Sequence, residues 1–155
     1  MSRLSDKLAT DDFIVTSELN PPKGVDVQPL LDRARILDGW VDAVNVTDSA
    51  GARMAMAPVA ACSLLAAAGV EPILQLTSRD RNRIALQADM LAAAALGVTN
   101  LVVMGGDPPK NGDHPEAKPV FDLFASQIIA AAAALANGTD MTGNCLLYTS
   151  DAADE

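Results

Sequence analysis

The chain has few of the residues that build metal centres and disulfide frameworks. Its 155 residues include two cysteines, Cys62 and Cys145, and one histidine, His114. Two cysteines so far apart in sequence match neither a disulfide framework nor a metal-ligand spacing. A lone histidine argues against a histidine-based metal site. We therefore expect no bound metal.

Positive charge and long apolar runs are also scarce. Lysine and arginine number 11 against 20 aspartates and glutamates, which gives a formal net charge of −9. This excess argues against nucleic acid and anionic membranes as partners, because both are polyanions. No run approaches the ~20 apolar residues that span a bilayer. The polar lead, residues 1–12, lacks the apolar core of a signal peptide. We therefore expect a cytoplasmic protein with no membrane or nucleic-acid partner.

Four short apolar runs, each followed by a stretch of helical length, repeat along the chain. Each run is too short for an isolated helix and rich in valine, isoleucine and leucine, as buried parallel strands are. The runs are Phe13 to Leu19, Ala43 to Thr47, Pro72 to Thr77 and Leu101 to Met104. Helices are predicted at about 26–37, with Asp26 as the N-cap, and at about 57–68, 80–96 and 121–136. A strand followed by a helix, four times over, predicts a parallel sheet.

A polar residue stands at or just past the end of each run. Glu18, Thr47, Thr77 and Asp107 recur at intervals of 29, 30 and 30 positions. In parallel sheets of this kind the chemistry gathers at the carboxyl ends of the strands. We therefore expect these side chains at one edge of the sheet. Four βα units fit either a small open sheet or the first half of a (β/α)₈ barrel, which needs ~250 residues when complete.

The last eleven residues, from Cys145 to Glu155, bear on that choice. Cys145 to Thr149 roughly suits the period of a fifth strand. The segment is, however, also the translation of a DNA string that resembles a transposon-based sequencing adaptor. We expect the native sequence to end at about Asn144 and residues 145–155 to be a cloning or assembly artefact; the alternative is a genuine amphipathic end.

Four sequence motifs occur in a fixed order at the ends of the four runs. They are SELNPPK at 17–23, VNVTD at 44–48, LQLTSRDRN at 74–82 and GGDPP at 105–109. Together they resemble methylenetetrahydrofolate reductases, most closely the branch fused to, or found alongside, homocysteine methyltransferase modules. The resemblance covers about Phe13 to Asn144.

The resemblance implies a fold, a cofactor and a reaction. The fold is a (β/α)₈ TIM barrel that holds FAD at the carboxyl ends of its strands. NADH or NADPH gives a hydride to the flavin, and 5,10-methylenetetrahydrofolate then takes it to become 5-methyltetrahydrofolate. We accordingly expect an α/β protein in which residues 13–144 form the first half, four βα units, of a truncated (β/α)₈ barrel.

Glu18 matches the catalytic glutamate of that family, a general acid that protonates a folate ring nitrogen and so opens the five-membered ring. Such a carboxyl must hold its proton near neutrality, so we expect its side chain to be buried. The alternative is a strand-end glutamate that pairs with a cation such as Lys23.

Asp107 matches the aspartate near the pyrimidine edge of the flavin, which also contacts the folate pterin. A negative charge there disfavours the anionic reduced flavin and so tunes its potential. Gly105 and Gly106 let the backbone approach the ring closely. The alternative is an ordinary turn, since Gly-Asp-Pro-Pro is a good turn sequence.

The remaining implied cofactor contacts come from the second and third motifs. Thr47, Asp48 and Ala50 match a stretch that contacts flavin and nicotinamide, and Gln75 stands where other members carry a flavin-contacting histidine. Threonine is also simply a good strand residue. The arginines at 79, 81 and 83 suit a diphosphate, but a solvated helix start with local ion pairs is the favoured interpretation.

Departures from the family pattern limit what is expected of this chain. Some members carry arginine at the position of Gly105 and tyrosine at that of Asp48. Strands five to eight are absent, so we expect this polypeptide to lack reductase activity, to hold FAD weakly and to expose two strand edges that pair or aggregate. The rival readings are another TIM-barrel enzyme acting on a phosphorylated substrate and a non-catalytic paralogue serving as a partner subunit. We also leave open a homo-oligomer of the full-length protein.

Overall fold

The computed structural model describes residues 2–146 of the chain. Strands and helices alternate along these residues after a short first helix. The elements are α1 (Arg3–Leu8), β1 (Thr16–Leu19), α2 (Gln28–Leu37), β2 (Ala43–Val46), α3 (Pro58–Ala67), β3 (Pro72–Thr77), α4 (Arg83–Ala95), β4 (Asn100–Met104) and α5 (Ala125–Ala136), with 3₁₀ turns at Ala50–Ala52 and Pro109–Asn111. Over this range no helix is long and apolar enough to cross a membrane.

The four strands form one parallel sheet in the order β1-β2-β3-β4. Parallel strands joined by helices take right-handed crossovers. Because each strand lies beside the one before it, such crossovers place the intervening helices on the same face of the sheet. The predicted α/β fold with alternating βα units is therefore confirmed, and it is consistent with part of a (β/α)₈ barrel.

The main core lies between the sheet and the helices. Strand residues alternate between the two faces, and Val44, Val46, Leu74 and Leu76 point to the helices and are fully buried. The helices contribute mostly small or aliphatic residues to this core, among them Leu30, Ala34, Ala61, Cys62, Leu65, Leu86, Met90, Ala93, Ile128 and Ala131. The many alanines let the helices lie close to the sheet.

The other face of the sheet is polar near the carboxyl ends of the strands and apolar at their amino ends. Leu4 of α1 packs there against Ala43 and Ile73. Helix α1 differs from the sequence-based prediction, in which residues 1–12 form a polar lead without a helix. A capping box between Ser2 and Ser5 starts the helix, and the burial of Leu4 holds it across the amino end of the sheet.

Several element boundaries differ from the sequence-based expectation because side chains compete for backbone groups. The first strand begins at Thr16 rather than Phe13, which is 86% exposed. The amide of Val15 donates to the side chain of Asp42 at 2.8 Å rather than to a strand partner. Asp26 was expected to be the N-cap of α2, but Val27 holds that position.

The starts of α4 and α5 also lie later than expected. Asn82 caps α4, because its Oδ1 accepts from the amides of Ile84 and Ala85. Helix α5 begins at Ala125 rather than Phe121, whose φ of 44° is incompatible with a right-handed helix.

The end of the chain is described only in part. Cys145 forms an isolated antiparallel bridge with Thr139, next to α5. The remainder of the adaptor-like segment, residues 147–155, lies outside the described residues. The expectation that residues 145–155 are a non-native tail rather than a fifth strand therefore stays a prediction.

Candidate functional site

The loops that follow β1, β2 and β4 enclose an open cavity at the carboxyl ends of the strands. Its volume is about 580 Å³, within the range of small-molecule sites. Three of the predicted site residues, Thr47, Ala50 and Asp107, line it. Asn20, Pro21, Lys23, Gly51, Arg53, Met54, Ala55 and Asn111 complete the lining. The structure thus brings together residues that the sequence separates by 60 positions.

Asp107 is exposed to this cavity and is anchored by one backbone group. Its Oδ2 accepts a hydrogen bond from the amide of Gly51 at 3.1 Å. No hydrogen bond among residues 2–146 uses the other carboxylate oxygen. One oxygen of the carboxylate is therefore held by the loop after β2, while the other is free to accept from a ligand.

The two glycines before Asp107 differ in their surroundings. Gly106 has a φ of +92°, and a Cβ placed on it would lie 3.1 Å from the Cβ atoms of Thr77 and Arg79. A Cβ on Gly105 would meet nothing within 4 Å. Glycine is therefore required at 106 by the backbone and by packing, whereas at 105 it leaves the site open.

Glu18 lies on the polar face of the sheet, and it is exposed rather than buried as expected. Its Oε2 accepts a hydrogen bond from Nε2 of Gln75 at 3.2 Å, across strand β2. Glu18 is not buried because α1 covers only the amino end of this face of the sheet. Lys23, the cation offered as an alternative partner, pairs instead with Asp113 at 2.6 Å.

Asp48 is buried, with its carboxylate occupied by protein groups. Its Oδ2 accepts at 2.8 Å from both the amide and the hydroxyl of Thr77. Arg81 donates to both oxygens, at 2.6 and 3.2 Å. Burial opposes the charge on the Arg81 guanidinium, but these bonds and the Asp89 carboxylate leave its pKa raised. Asp48 therefore ties β2 to β3 and α4, and its oxygens do not face the cavity that Thr47 and Ala50 line.

The arginines after β3 pair with nearby carboxylates, which confirms the ion-pair interpretation. Arg79 pairs with Asp80 at 2.6 Å, and Arg83 pairs with Asp122 at 2.9 Å. Hydrogen bonds from Arg83 lower the pKa of Asp122 to about 2. The expectation of a solvated segment is wrong for Arg79, whose side chain is only 3% exposed.

Two residues that contribute to the site were not singled out from the sequence. Asn20 accepts a hydrogen bond from the Thr47 hydroxyl at 2.7 Å. Asp113 joins three loops, because it accepts from Lys23 and from the amide of Met54. Lys23, that amide and His114 hold the pKa of Asp113 well below its usual range. Asn20 stands directly after β1, so its position was a usable signal, whereas nothing in the sequence marks Asp113.

Residues 2–146 contain no group of three or more histidine, cysteine or acidic side chains that could hold a metal ion. Cys62 is buried in α3, and burial raises the pKa of its thiol to about 12. Such a thiol is a core residue rather than a nucleophile.

The chain was compared with curated protein sequences and with models of protein families. No curated protein sequence matches the chain. The family model described as methylenetetrahydrofolate reductase matches residues 3–134, which include all four motifs and every residue of the site. The chain therefore belongs to the methylenetetrahydrofolate reductase family.

Proposed function

We propose that this chain carries the flavin and folate site of an FAD-dependent 5,10-methylenetetrahydrofolate reductase, which forms 5-methyltetrahydrofolate with NADH or NADPH. Membership of the family supports an oxidoreductase of this kind. The observation that carries the finer assignment is the convergence of Thr47, Ala50 and Asp107 on one cavity.

The residues of that cavity fit a flavin ring. Pro21, Ala50, Met54 and Ala55 give it apolar walls, and an aromatic ring system binds well against such surfaces. The rest of the lining is largely polar or charged, and it includes two groups that could bond the ring. The Thr47 hydroxyl donates its proton to Asn20, so it could accept a hydrogen bond from the ring without adding charge. The second group is the Asp107 carboxylate, one oxygen of which makes no hydrogen bond within residues 2–146. When bound, FAD would supply the hydride carrier.

Asp107 would set the electrostatics of the bound ring. A carboxylate at the pyrimidine edge disfavours a negative charge on that ring and so lowers its midpoint potential. The free Oδ1 could also accept a hydrogen bond from the folate pterin. The Gly51 amide keeps the carboxylate oriented for both tasks.

Glu18 would act on the substrate as a general acid. Its carboxyl gives a proton to a folate ring nitrogen, the C–N bond of the five-membered ring breaks, and its electron pair stays on that nitrogen. Gln75 would orient the carboxyl, since its amide already donates to Oε2 at 3.2 Å. The role requires exclusion of water, so we propose that further protein covers Glu18 in the active enzyme.

We propose that the 155-residue chain alone holds FAD weakly and does not turn over. Glu18 is open to solvent. Strands β1 and β4 each have one neighbour among the described strands. A cavity assembled from four strands would offer only part of the contacts that an eight-stranded barrel gives to a dinucleotide.

The test compares this chain with the protein expressed from its source locus with an uninterrupted reading frame. We expect the full protein to purify with FAD and to oxidise NADH or NADPH, and the short chain to bind FAD more weakly in a fluorescence titration. In the full protein, Asp107→Asn should raise the midpoint potential of the flavin, whereas the exposed Asp38→Asn should not. A full protein that binds no flavin would refute the proposal.

A further inference from the structure

Arg79 is a buried cation that contacts the loops beside the candidate site but does not line its cavity. Its side chain is 3% exposed. Its Nη1 donates to the backbone carbonyl of Ser49, in the loop after β2, at 3.2 Å. Its Nε and Nη2 donate to the carboxylate of Asp80. Its Cβ lies against Gly106, in the loop after β4. Arg79 thus lies between the two loops that carry Ala50 and Asp107.

The loop that Arg79 contacts has an unfavourable backbone. Ser49 and Ala52 have φ values of 50° and 55°, and Gly51 between them has 64°. Left-handed conformations are unfavourable at residues other than glycine, and they persist only where surrounding contacts enforce them. The Gly51 amide that binds Asp107 lies within this strained stretch. The carbonyl of Ser49, which Arg79 binds, lies at the start of the same stretch.

Charge gives Arg79 a second connection to the site. Hydrogen bonds from its guanidinium to Asp80 raise the pKa of Arg79, burial opposes this, and the negative charges of Asp48 and Asp107 raise it further. The negative charge of Asp107 therefore contributes to the raised pKa of Arg79, although the two side chains form no hydrogen bond.

We propose that Arg79 is a positioning residue: it fixes the carbonyl of Ser49 and thereby the left-handed turn that aims the Gly51 amide at Asp107. The guanidinium does not touch the cavity and is not a phosphate ligand. This inference rests on the proposed function, because that function is what gives the orientation of Asp107 its importance.

The test observes the Gly51 amide directly by NMR and needs no bound flavin. In ¹H–¹⁵N spectra of the labelled chain, the hydrogen-exchange rate of the Gly51 amide, here called the Gly51 response, reports its hydrogen bond to Asp107. Asp107→Ala removes the acceptor and should make this exchange roughly two- to tenfold faster, as expected for the loss of one hydrogen bond. Arg79→Met should have the same effect.

The matched control is Arg83→Met, which removes an exposed arginine of the same segment and should leave the Gly51 response as in the parent chain. If Arg79→Met gives the same Gly51 response as Arg83→Met, the proposal is wrong. Arg79→Gln is the milder variant, because it keeps one donor near Ser49 and loses the charge. Its Gly51 response should fall between those of the parent and Arg79→Met, and a parent-like response would also overturn the proposal.

The outcome separates this inference from the proposed function. Faster exchange of the Gly51 amide in Arg79→Met, combined with a full protein that binds no flavin, would leave Arg79 as a positioning residue of a site with another purpose. Flavin binding by the full protein, combined with an unaltered Gly51 response in Arg79→Met, would support the function and refute the role of Arg79.

Discussion

Gly106 is the residue at which the backbone constrains the site most directly. It precedes Asp107 and holds a φ of +92°, a conformation that an L-residue with a side chain rarely adopts. A Cβ at this position would also press on Thr77 and Arg79 at 3.1 Å, which is closer than most real Cβ contacts. Asp107 can therefore take its position beside the cavity only because the residue before it, Gly106, has no side chain.

Gly106→Ala should destabilise the chain by about 1–2 kcal/mol, because the left-handed conformation becomes strained and the new methyl group meets buried atoms. Urea unfolding followed by circular dichroism measures the change. The adjacent Gly105→Ala is the matched control, since a Cβ there meets nothing within 4 Å, and its effect should stay within about 0.5 kcal/mol. Equal effects of the two substitutions would show that the conformation of Gly106 is not the constraint described.

The sequence located some of the site residues, but it could not establish the burial and the hydrogen-bond partners of others. Thr47 and Asp107 were expected at strand ends, and Ala50 was expected in the stretch just beyond Thr47. All three line one cavity. Position in a motif does not determine burial, however. The exposure of Glu18 depends on which elements cover the sheet, and the engagement of Asp48 depends on Arg81, which is 33 positions away.

Among the elements, the ends of β2 and β3 and the start of α4 are held together by one buried ion pair. The side chain of Asp48 is 3% exposed and that of its partner Arg81 is 15% exposed. Asp48 also accepts both hydrogen bonds from Thr77, at the end of β3. A buried charge that loses its partner is costly, since it is left without compensation in a poorly solvated position.

Asp48→Asn should therefore lower the free energy of unfolding by about 3 kcal/mol, because it leaves the guanidinium of Arg81 with only Asp89 as an ionic partner. Chemical denaturation at neutral pH measures this change. Asp32→Asn is the control: it breaks the exposed pair of α2 with Arg35 and should cost less than about 0.5 kcal/mol. A small effect at Asp48, matching that at Asp32, would contradict the assignment of a structural role to this carboxylate.

The type and order of the four strands and the four helices that follow them were predictable from periodicity, but their boundaries were not. Apolar runs fix which segments are buried, and this information is local. Boundaries depend on side chains that take backbone hydrogen bonds, as Asp42 does at Val15 and Asn82 does at the start of α4. Helix α1 went unpredicted because its six residues owe their stability to the packing of Leu4 rather than to a periodic pattern.

For the molecule as a whole, strand order decides where chemistry can occur. Consecutive parallel pairing sends the helices to one face, so the other face and the carboxyl ends of the strands remain for a ligand. The sheet places Glu18 and Gln75 on that face and the cavity of Thr47 and Asp107 at the strand ends. The sequence alone left a small open sheet and a half barrel as alternatives, because both share the same βα rhythm.

We propose above all that Glu18 acts as the acid in folate reduction by a flavin enzyme. Its most direct test is stopped-flow measurement of the two half-reactions in the full protein, with Glu18→Gln beside Glu116→Gln, which makes the same chemical change on an exposed loop residue. We predict that both variants reduce the flavin with NADH or NADPH at the rate of the parent protein. Only Glu18→Gln should then lose methylenetetrahydrofolate-dependent reoxidation of the flavin, by about a hundredfold or more. Reoxidation of Glu18→Gln at the rate of the parent would contradict the account.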